Sequence, residues 1–443
     1  MGRGLPRPRP VLGDLRAGRE ACRPGRLLPP LALQPRHHGG TGDRAEARHR
    51  RYGRGQLPAA DARGRAVPRT LAGAHRALRH EAPSQARGEI TGEDRMLGPT
   101  GHTDSFTRDN LPPADQWPEI RLDGFDYPDW LNVGVELTDR MVERGFGDHT
   151  ALVGNGRRRT YKELTDWTNR LARALVEDYG VTPGNRVLIR SANNPAMVAA
   201  WLAATKAGAV VVNTMPMLRA GELAKIVDKA EVTVALCDTR LMDEMVTCAK
   251  DSRTLETVVG FDGTANHDAE LDRVALSKPV QFEAVKTGRD DVALLGFTSG
   301  TTGVPKGTMH FHRDILIIAD GYAREVLDVQ PEDIFVGSPP LAFTFGLGGL
   351  AVFPLRFGAS AVLLENASPP NLIEIIERYG ATVCFTAPTA YRAMLAAMEE
   401  GADLSSLRAA VSAGETLPAP VYEDWMRKTG KPMLDGIGAT EML

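Results

Sequence analysis

The chain of 443 residues is organised around one stretch, Asp291-Val-Ala-Leu-Leu-Gly-Phe-Thr-Ser-Gly-Thr-Thr-Gly-Val-Pro-Lys-Gly-Thr-Met-His-Phe-His-Arg-Asp314. Val292 to Phe297 form a short apolar run, which predicts a strand. The next ten residues hold four hydroxyl side chains, three glycines and one lysine, and no large apolar side chain beyond Val304. This composition predicts a loop that holds a ligand.

The loop has the chemistry of a polyphosphate site. Its glycines let backbone N–H groups approach a ligand closely, its hydroxyls can donate, and its lysine supplies a point charge. A P-loop NTPase or kinase is one alternative, but it requires Ser or Thr after the lysine, and Lys306 is followed by Gly307. The other alternative is a mobile surface loop without a ligand. The candidate ligands of the phosphate are Thr298, Ser299, Gly300, Thr301, Thr302, Gly303 and Lys306.

Strands and helices alternate on both sides of this loop. The pattern predicts an α/β fold with two helix-covered, mostly parallel sheets. We expect the segment 239–286 to be an irregular surface excursion and Asp314 to Val326 to be a helix. The predicted strands are 186–190, 209–213, 232–237, 334–337, 360–364, 382–386, 407–411 and 432–434, and the predicted helices between them include 197–206, 219–230, 371–379 and 389–398.

Two more glycine-centred turns follow strands late in the chain, Ser412-Ala-Gly-Glu415 and Asp435-Gly-Ile-Gly-Ala-Thr-Glu441. Ligands of parallel α/β sheets lie beyond the carboxyl ends of the strands. One such turn is routine, whereas three with the same topology favour a nucleotide site. We therefore expect the three turns to converge on one crevice.

The motif Thr298-Ser-Gly-Thr-Thr-Gly-Val-Pro-Lys-Gly307 resembles the phosphate loop of the AMP-forming adenylating enzymes, which include acyl-CoA synthetases, peptide-synthetase adenylation domains and luciferases. The resemblance implies that the loop wraps the β- and γ-phosphates of ATP while a carboxylate attacks the α-phosphate. It covers about Thr103 to Leu443 and implies the large N-terminal domain of that fold.

The late turns also resemble motifs of this family. Ser412, Ala413, Gly414 and Glu415 resemble the segment beside adenine, and Asp435, Gly436, Ile437 and Gly438 belong to the following nucleotide-binding motif. In that motif the threonine, here Thr440, contacts the α-phosphate, and the glutamate, here Glu441, holds Mg²⁺. The alternative for Glu441 is an ordinary exposed carboxylate. Many relatives have an aromatic residue where this chain has Ile437.

Phe343, Thr344 and Phe345 lie in a segment that resembles the gate of the acid-binding pocket. Many acyl-CoA synthetases have Phe-His there, whereas this chain has Ala342-Phe343; core positions are the alternative for the aromatics. The pattern is most similar to benzoate-CoA and 2-aminobenzoate-CoA ligases. It implies activation of an aromatic acid with ATP and Mg²⁺ to an acyl-AMP, and then transfer to coenzyme A. The alternatives are an inactive nucleotide-binding fragment and an adenylating enzyme for another acyl acid.

Charge divides the chain. Residues 1–95 contain 20 Arg, no Lys and 9 acidic residues, a net charge of about +11, although the whole chain carries −3. Arg, Pro, Gly and Ala without a period predict a disordered tail, or residues outside the natural reading frame or start, in preference to a basic arm that binds nucleic acid or a membrane. Residues 96–443 would then form a partial adenylation domain, and we expect the C-terminal lid domain of the family to be absent.

The remaining composition predicts a cytoplasmic protein. No apolar run reaches the roughly 20 residues of a membrane span. The four cysteines lie far apart, which favours reduced thiols over a metal site. His310 and His312 are two residues apart without a nearby Cys or carboxylate at ligand spacing, so we expect structural histidines rather than a zinc site. The expected partners are small molecules, with neither nucleic acid nor membrane, and the oligomeric state is open.

Overall fold

The computed structural model describes residues 97–119, 122–264, 266, 268–298, 305–399 and 401–443. These residues fall within one compact unit, Gly88–Leu443. The tail predicted over residues 1–95 and most of the predicted phosphate loop, residues 299–304, lie outside the described residues.

Thirteen strands occur in the described residues. In chain order they are β1 (Thr150–Gly154), β2 (Arg157–Thr160), β3 (Arg186–Arg190), β4 (Val210–Thr214), β5 (Val234–Asp238), β6 (Thr257–Phe261), β7 (Val292–Thr298), β8 (Lys306–Phe311), β9 (Ile334–Gly337), β10 (Ser360–Val362), β11 (Val383–Thr386), β12 (Ala409–Ser412) and β13 (Met433–Asp435).

The strands form two sheets. The first has the order β6-β5-β3-β4-β7-β8 and is parallel except for the antiparallel pair β7 and β8. The second has the order β13-β12-β11-β9-β10-β1-β2 and is parallel except for the hairpin of β1 and β2. The predicted α/β class with two mostly parallel sheets is confirmed.

Helices connect and cover the strands. In chain order they are α1 (Phe106–Asp109), α2 (Val133–Glu136), α3 (Asp139–Met141), α4 (Tyr161–Glu177), α5 (Pro195–Lys206), α6 (Ala220–Ala230), α7 (Met242–Asp251), α8 (Glu270–Leu276), α9 (His312–Ile318), α10 (Thr344–Leu347), α11 (Phe353–Arg356), α12 (Pro369–Tyr379), α13 (Pro388–Glu399) and α14 (Ala419–Thr429). Among the described residues, none of the helices is both long enough and apolar enough to cross a bilayer.

Helix α5 contacts both sheets, packing on β3 and β4 of the first and on β1 of the second. Its residues are all buried, which explains an almost uniformly apolar sequence. Asn194 caps its N-terminus by accepting from the Met197 N–H at 3.0 Å. At its last turn the buried ammonium of Lys206 lies 2.6 Å from Asp139 and donates to Asn169 at 2.7 Å. The buried charge is therefore paired, as burial requires.

The surface excursion predicted for residues 239–286 is wrong in part. Strand β6 pairs with β5 as the edge of the first sheet, and α7 and α8 are regular helices. In the sequence Thr257-Val-Val-Gly-Phe261, Gly260 interrupts the apolar run. The run is therefore too short to predict a strand. The sequence also gave no sign that the chain returns from the loop as the antiparallel strand β8.

The helix predicted from Asp314 to Val326 is confirmed, with its start two residues earlier and its end one residue earlier. Helix α9 begins at His312, because the Asp314 carboxylate accepts from the Phe311 N–H at 2.9 Å. After Ile318 the helix widens into a π-helical turn over Ala319–Ala323 and continues to Glu325. The other predicted strands and helices are present, with ends that either coincide with the prediction or differ from it by at most two residues.

Candidate functional site

The predicted phosphate loop connects β7 and β8. Thr298 and Lys306 are Cα partners at the open end of this antiparallel pair, so the loop between them starts and ends at one place. Thr298 is half-buried and Lys306 is exposed. Ser299, Gly300, Thr301, Thr302 and Gly303 lie outside the described residues, and their roles stay predictions.

The last turn of the chain packs on this hairpin. Thr440–Met442 form a short 3₁₀ turn, and the Thr440 carbonyl accepts from His310 Nε2 at 2.7 Å. Gly296 in β7 makes room for it, because a Cβ at that position would lie 2.6 Å from Thr440 Cγ2. The structure thus brings Thr440, predicted to contact the α-phosphate, to the strand that leads into the phosphate loop.

His310 is buried in this contact and acts as a donor. A carbonyl oxygen can only accept, so the bond to Thr440 places the proton of the neutral imidazole on Nε2. Burial holds the pKa of His310 below its ordinary value, although the bond to the Thr440 carbonyl and the Glu441 charge act in the opposite direction. His310 is therefore uncharged at neutral pH, as a structural histidine should be.

His312 is fully buried at the start of α9. Its Nδ1 accepts from the Val133 N–H at 3.2 Å. Burial, with His102 nearby, lowers the pKa of His312 to about 3, and Asp291 opposes the shift. The two histidines of the Met309–His312 segment thus hold separate parts of the fold together, which agrees with their predicted structural role.

The two late turns lie side by side. Strands β12 and β13 are parallel neighbours, with Ser412 opposite Asp435, and the Gly436 N–H donates to the Ser412 carbonyl at 2.7 Å. Gly414 has a φ of +87°, a conformation that favours glycine. Ser412 and Ala413 are buried, whereas Glu415 is exposed and accepts from the Thr389 hydroxyl at 3.2 Å. Ile437 is 97% exposed and could present an aliphatic face to a flat base.

An open cleft of about 410 Å³ lies at the carboxyl ends of β4 and β7. Thr298 and Pro305, one at each end of the undescribed part of the loop, both line it. A second, narrower pocket shares Asn213, Phe297, Ala342 and Phe343 with the cleft and also includes Gly296 and Thr440. The loop ends, the terminal turn and the predicted acid gate therefore adjoin one concave region, which is where ligands of parallel sheets lie.

The three residues of the predicted acid gate are placed differently. Phe343, 39% exposed, lines both cavities, and Thr344 lines the narrower one. Phe345 packs against the core, with its ring centroid 5.9 Å from that of the buried Phe385. Of the two alternatives for these aromatics, Phe343 lines the cavities, as predicted for the acid gate, whereas Phe345 packs against the core.

Sequence reasoning did not single out Asn213, which lines both cavities at the end of β4. The signal that could have found it is a polar side chain directly after the apolar run Val210-Val-Val212, at the carboxyl end of a parallel strand. Asn213 is 7% exposed.

Glu441 is exposed beside this region, and its charge acts on His310. Among the described residues, no group of three or more His, Cys, Asp or Glu side chains is arranged to hold a metal ion. Mg²⁺ bound to a nucleotide needs only one or two carboxylates, because phosphate and water supply its other ligands. Glu441, a single exposed carboxylate near the predicted phosphate loop, fits that requirement.

Comparison with known proteins agrees with this geometry. A family model described as "AMP-binding enzyme" matches residues 140–443. The benzoate-CoA ligase of Thauera aromatica is 33% identical over 338 residues, which cover 75% of this chain and 62% of that protein. The 3-hydroxybenzoate-CoA ligase of Aromatoleum sp. (strain CIB) is 30% identical over 318 residues, covering 71% and 60%.

Solved structures give the same result. The anthranilate-CoA ligase AuaEII, in complex with anthranoyl-AMP, superposes with a TM-score of 0.67 at 30% identity, over 73% of this chain and 61% of that one. A benzoate-CoA ligase from Burkholderia xenovorans LB400 gives 0.63 at 25% identity, over 70% and 61%. The chain spans about three fifths of the length of these relatives. With the family model matched over well more than half of its residues, and with the fold of the adenylate-forming enzymes, the chain belongs to the AMP-binding enzyme family.

Proposed function

We propose that the chain is the nucleotide- and acid-binding part of a cytoplasmic aryl-CoA ligase. The reaction is the attack of an aromatic carboxylate, of the benzoate or 2-aminobenzoate type, on the α-phosphate of ATP. It gives an acyl-AMP and releases pyrophosphate; the thiol of coenzyme A then attacks the acyl carbon and AMP leaves. Relatives named for benzoate, hydroxybenzoate and anthranilate support the substrate class.

One observation carries the proposal. The turn that bears Thr440 and Glu441 is bonded through His310 to the hairpin that bears the phosphate loop, and the same region opens on Phe343. A phosphate-binding loop, a threonine for the α-phosphate, a carboxylate and an aromatic wall are the groups that adenylation requires. Catalysis of this kind works by positioning and charge neutralisation.

Each group then has a defined task. Residues 298–307 hold the β- and γ-phosphates, and Thr440 donates to the α-phosphate, where negative charge moves during the attack. Glu441 would hold Mg²⁺, which supplies charge neutralisation on the phosphates. The turns at 412–415 and 435–438 border the base, and Phe343 with Thr344 borders the aromatic ring.

Pyrophosphate release tests the proposal directly. The chain is incubated with Mg·ATP and either benzoate or 2-aminobenzoate, and Mg·ATP affinity is measured in parallel by calorimetry. We expect acid-dependent pyrophosphate release and a loss of Mg·ATP affinity of about tenfold in Glu441→Gln, which corresponds to about 1.4 kcal/mol. Glu423→Gln, which makes the same change at an exposed position of α14, is the matched control and should bind normally.

The possible results separate the proposal from its alternatives. Binding of Mg·ATP without pyrophosphate release with any acid supports a nucleotide-binding fragment. Release with an aliphatic acid only supports an adenylating enzyme of another specificity. Unchanged Mg·ATP affinity in Glu441→Gln contradicts the role of that carboxylate.

A further inference from the structure

Asn213 is a polar side chain in an otherwise apolar wall between the two cavities. It is the last residue but one of strand β4, whose Val211 is the Cα partner of Leu294 in β7. Asn213 and Gly296 each lie two residues after this pair on neighbouring parallel strands. They therefore lie side by side and on the same face of the sheet as the pair. Both residues line the narrow pocket together with Thr440. The Asn213 side chain is thus next to the turn that we assign to the α-phosphate.

The Asn213 amide leaves one strong acceptor unpaired. Its Nδ2 faces the Leu341 carbonyl at 3.5 Å, and a carbonyl can only accept, which fixes the orientation of the amide. Its Oδ1 is buried and has no hydrogen-bond partner among the described residues. A buried acceptor without a partner costs free energy. A ligand that brings a donor to this point would recover that free energy.

The walls around this acceptor suit an aromatic ring. Phe297 and Phe343 line both cavities, and no charged side chain is among the residues that line the narrow pocket. The narrow pocket, of about 10 Å³, is too small for a ring, so a flat ring would lie in the adjoining cleft against Phe297 and Phe343 while a single polar substituent meets Asn213. Glu222 and Lys225 also line that cleft. A mostly apolar site with a few placed polar groups is the usual way in which a protein selects among similar small molecules.

We propose that Asn213 determines specificity by accepting a hydrogen bond at Oδ1 from an amino group next to the carboxylate of the aromatic acid. This rests on the proposed function. The carboxylate must be close to Thr440, which lines the same narrow pocket as Asn213, so an ortho substituent is the one within reach. An ortho amino group has two N–H donors. One can bond to the carboxyl oxygen on the adjacent ring carbon, and the other can bond to Asn213 Oδ1. An ortho hydroxyl has a single proton, which its carbonyl neighbour takes.

Stable acyl-AMP mimics test this without requiring turnover. Three aroyl-sulfamoyl adenosines, carrying benzoyl, 2-aminobenzoyl and 2-methylbenzoyl groups, are titrated into the 443-residue chain by calorimetry. The methyl group matches the amino group in size and cannot donate. We expect the wild-type chain to bind the 2-aminobenzoyl mimic about tenfold more tightly than the 2-methylbenzoyl mimic, which is the effect of one hydrogen bond.

Variants at position 213 identify the acceptor. Asn213→Leu has a similar volume without the oxygen, and we expect the ratio of the two affinities to fall to about one. Asn213→Asp retains an oxygen acceptor and should keep a preference for the amino compound. Asn371→Leu, the same exchange in helix α12, is the control and should keep the wild-type ratio. If Asn213→Leu does not fold, Asn213→Ala replaces it with the same expectation.

Each other result overturns the inference in a recognisable way. A tenfold ratio that survives in Asn213→Leu shows that Oδ1 is not the acceptor. A wild-type ratio of about one, with tight binding of all three mimics, overturns the role of Asn213 and leaves the proposed function standing. Failure of the wild-type chain to bind any mimic overturns both.

Discussion

His312 shows how a single residue links the stability of this chain to pH. Its ring lies in the interior, where Nδ1 accepts a backbone N–H and where His102 and Asp291 are the charged or titratable neighbours. The unfolded chain holds this proton with a pKa near 6.5, whereas burial lowers the pKa in the folded chain to about 3. Between these values the unfolded state binds more protons. The stability that neutral His312 contributes is thus fully present above pH 6.5 and is lost as the pH falls.

We predict that the free energy of unfolding decreases below pH 6.5 and that His312→Asn flattens this decrease. One histidine contributes at most about 1.4 kcal/mol per pH unit. Asparagine can still accept the Val133 N–H through its amide oxygen, so the fold should survive. The measurement is urea denaturation at several values between pH 5 and 8. The exposed His149→Asn is the control, and an unchanged pH dependence in His312→Asn would contradict the assignment.

At the scale of elements, the site depends on one turn fitting one hairpin. Strand β7 leads into the phosphate loop, and the terminal Thr440–Met442 turn contacts both β7 and β8. A side chain at position 296 would not fit in this contact, because a Cβ there would lie 2.6 Å from Thr440 Cγ2 and 2.8 Å from Thr308 Oγ1. The Thr308 hydroxyl is fixed by donating to the Gly296 carbonyl at 3.0 Å. Of the two neighbours, the terminal turn is therefore the one free to move.

We predict that Gly296→Ala lowers Mg·ATP affinity about tenfold, or about 1.4 kcal/mol, while the melting temperature changes little. The added methyl group displaces Thr440 and Glu441 from the hairpin. The backbone of β7 tolerates alanine, because Gly296 is not among the glycines with a positive φ. Calorimetric titration with Mg·ATP measures the loss. Gly221→Ala in α6, where a Cβ meets nothing within 4 Å, is the matched control. Normal ATP binding by Gly296→Ala would show that the fit of the turn does not matter.

At the scale of the whole molecule, a buried ionic network joins distant parts of the chain. Arg356 donates twice to Asp320, at 3.1 and 3.0 Å, and once to Glu136 at 2.9 Å. The Tyr127 hydroxyl donates to the same Asp320 carboxylate at 2.8 Å, and Arg324 does so at 2.7 Å. Segments that are more than 190 residues apart in sequence therefore meet at one carboxylate.

We predict that Asp320→Ala lowers the free energy of unfolding by about 3–5 kcal/mol, because it leaves Arg356 buried without its main partner. Replacing both, as Asp320→Ala with Arg356→Met, should recover much of the loss, since no uncompensated charge remains. Asp424→Ala, which removes an exposed ion pair with Arg427, should change stability by less than about 1 kcal/mol. Denaturant unfolding compares the three. Equal stability of the single and double variants at 320 would contradict the explanation.

Much of the fold was legible in the sequence because the signals are local. A capping box at Thr160 and Glu163 begins α4, and Gly380, with a φ of +64°, ends α12. Each such signal involves residues within a few positions of one another, and dihedral preference or a side-chain bond to the nearby backbone is enough to produce it. The same holds for the glycine- and hydroxyl-rich run after β7, from which the phosphate loop and the family were inferred.

The sequence by itself therefore determined the α/β alternation, the family and the motifs of the site. Only the tertiary structure decided that β6 forms the edge of a sheet, that Thr440 packs on Gly296, that Asn213 lines the cavities and that Phe345 packs against the core. These facts depend on contacts between residues far apart in the chain. Periodicity and propensity carry no information about which distant surface a side chain will meet, because that choice is made by burial and packing over the whole molecule.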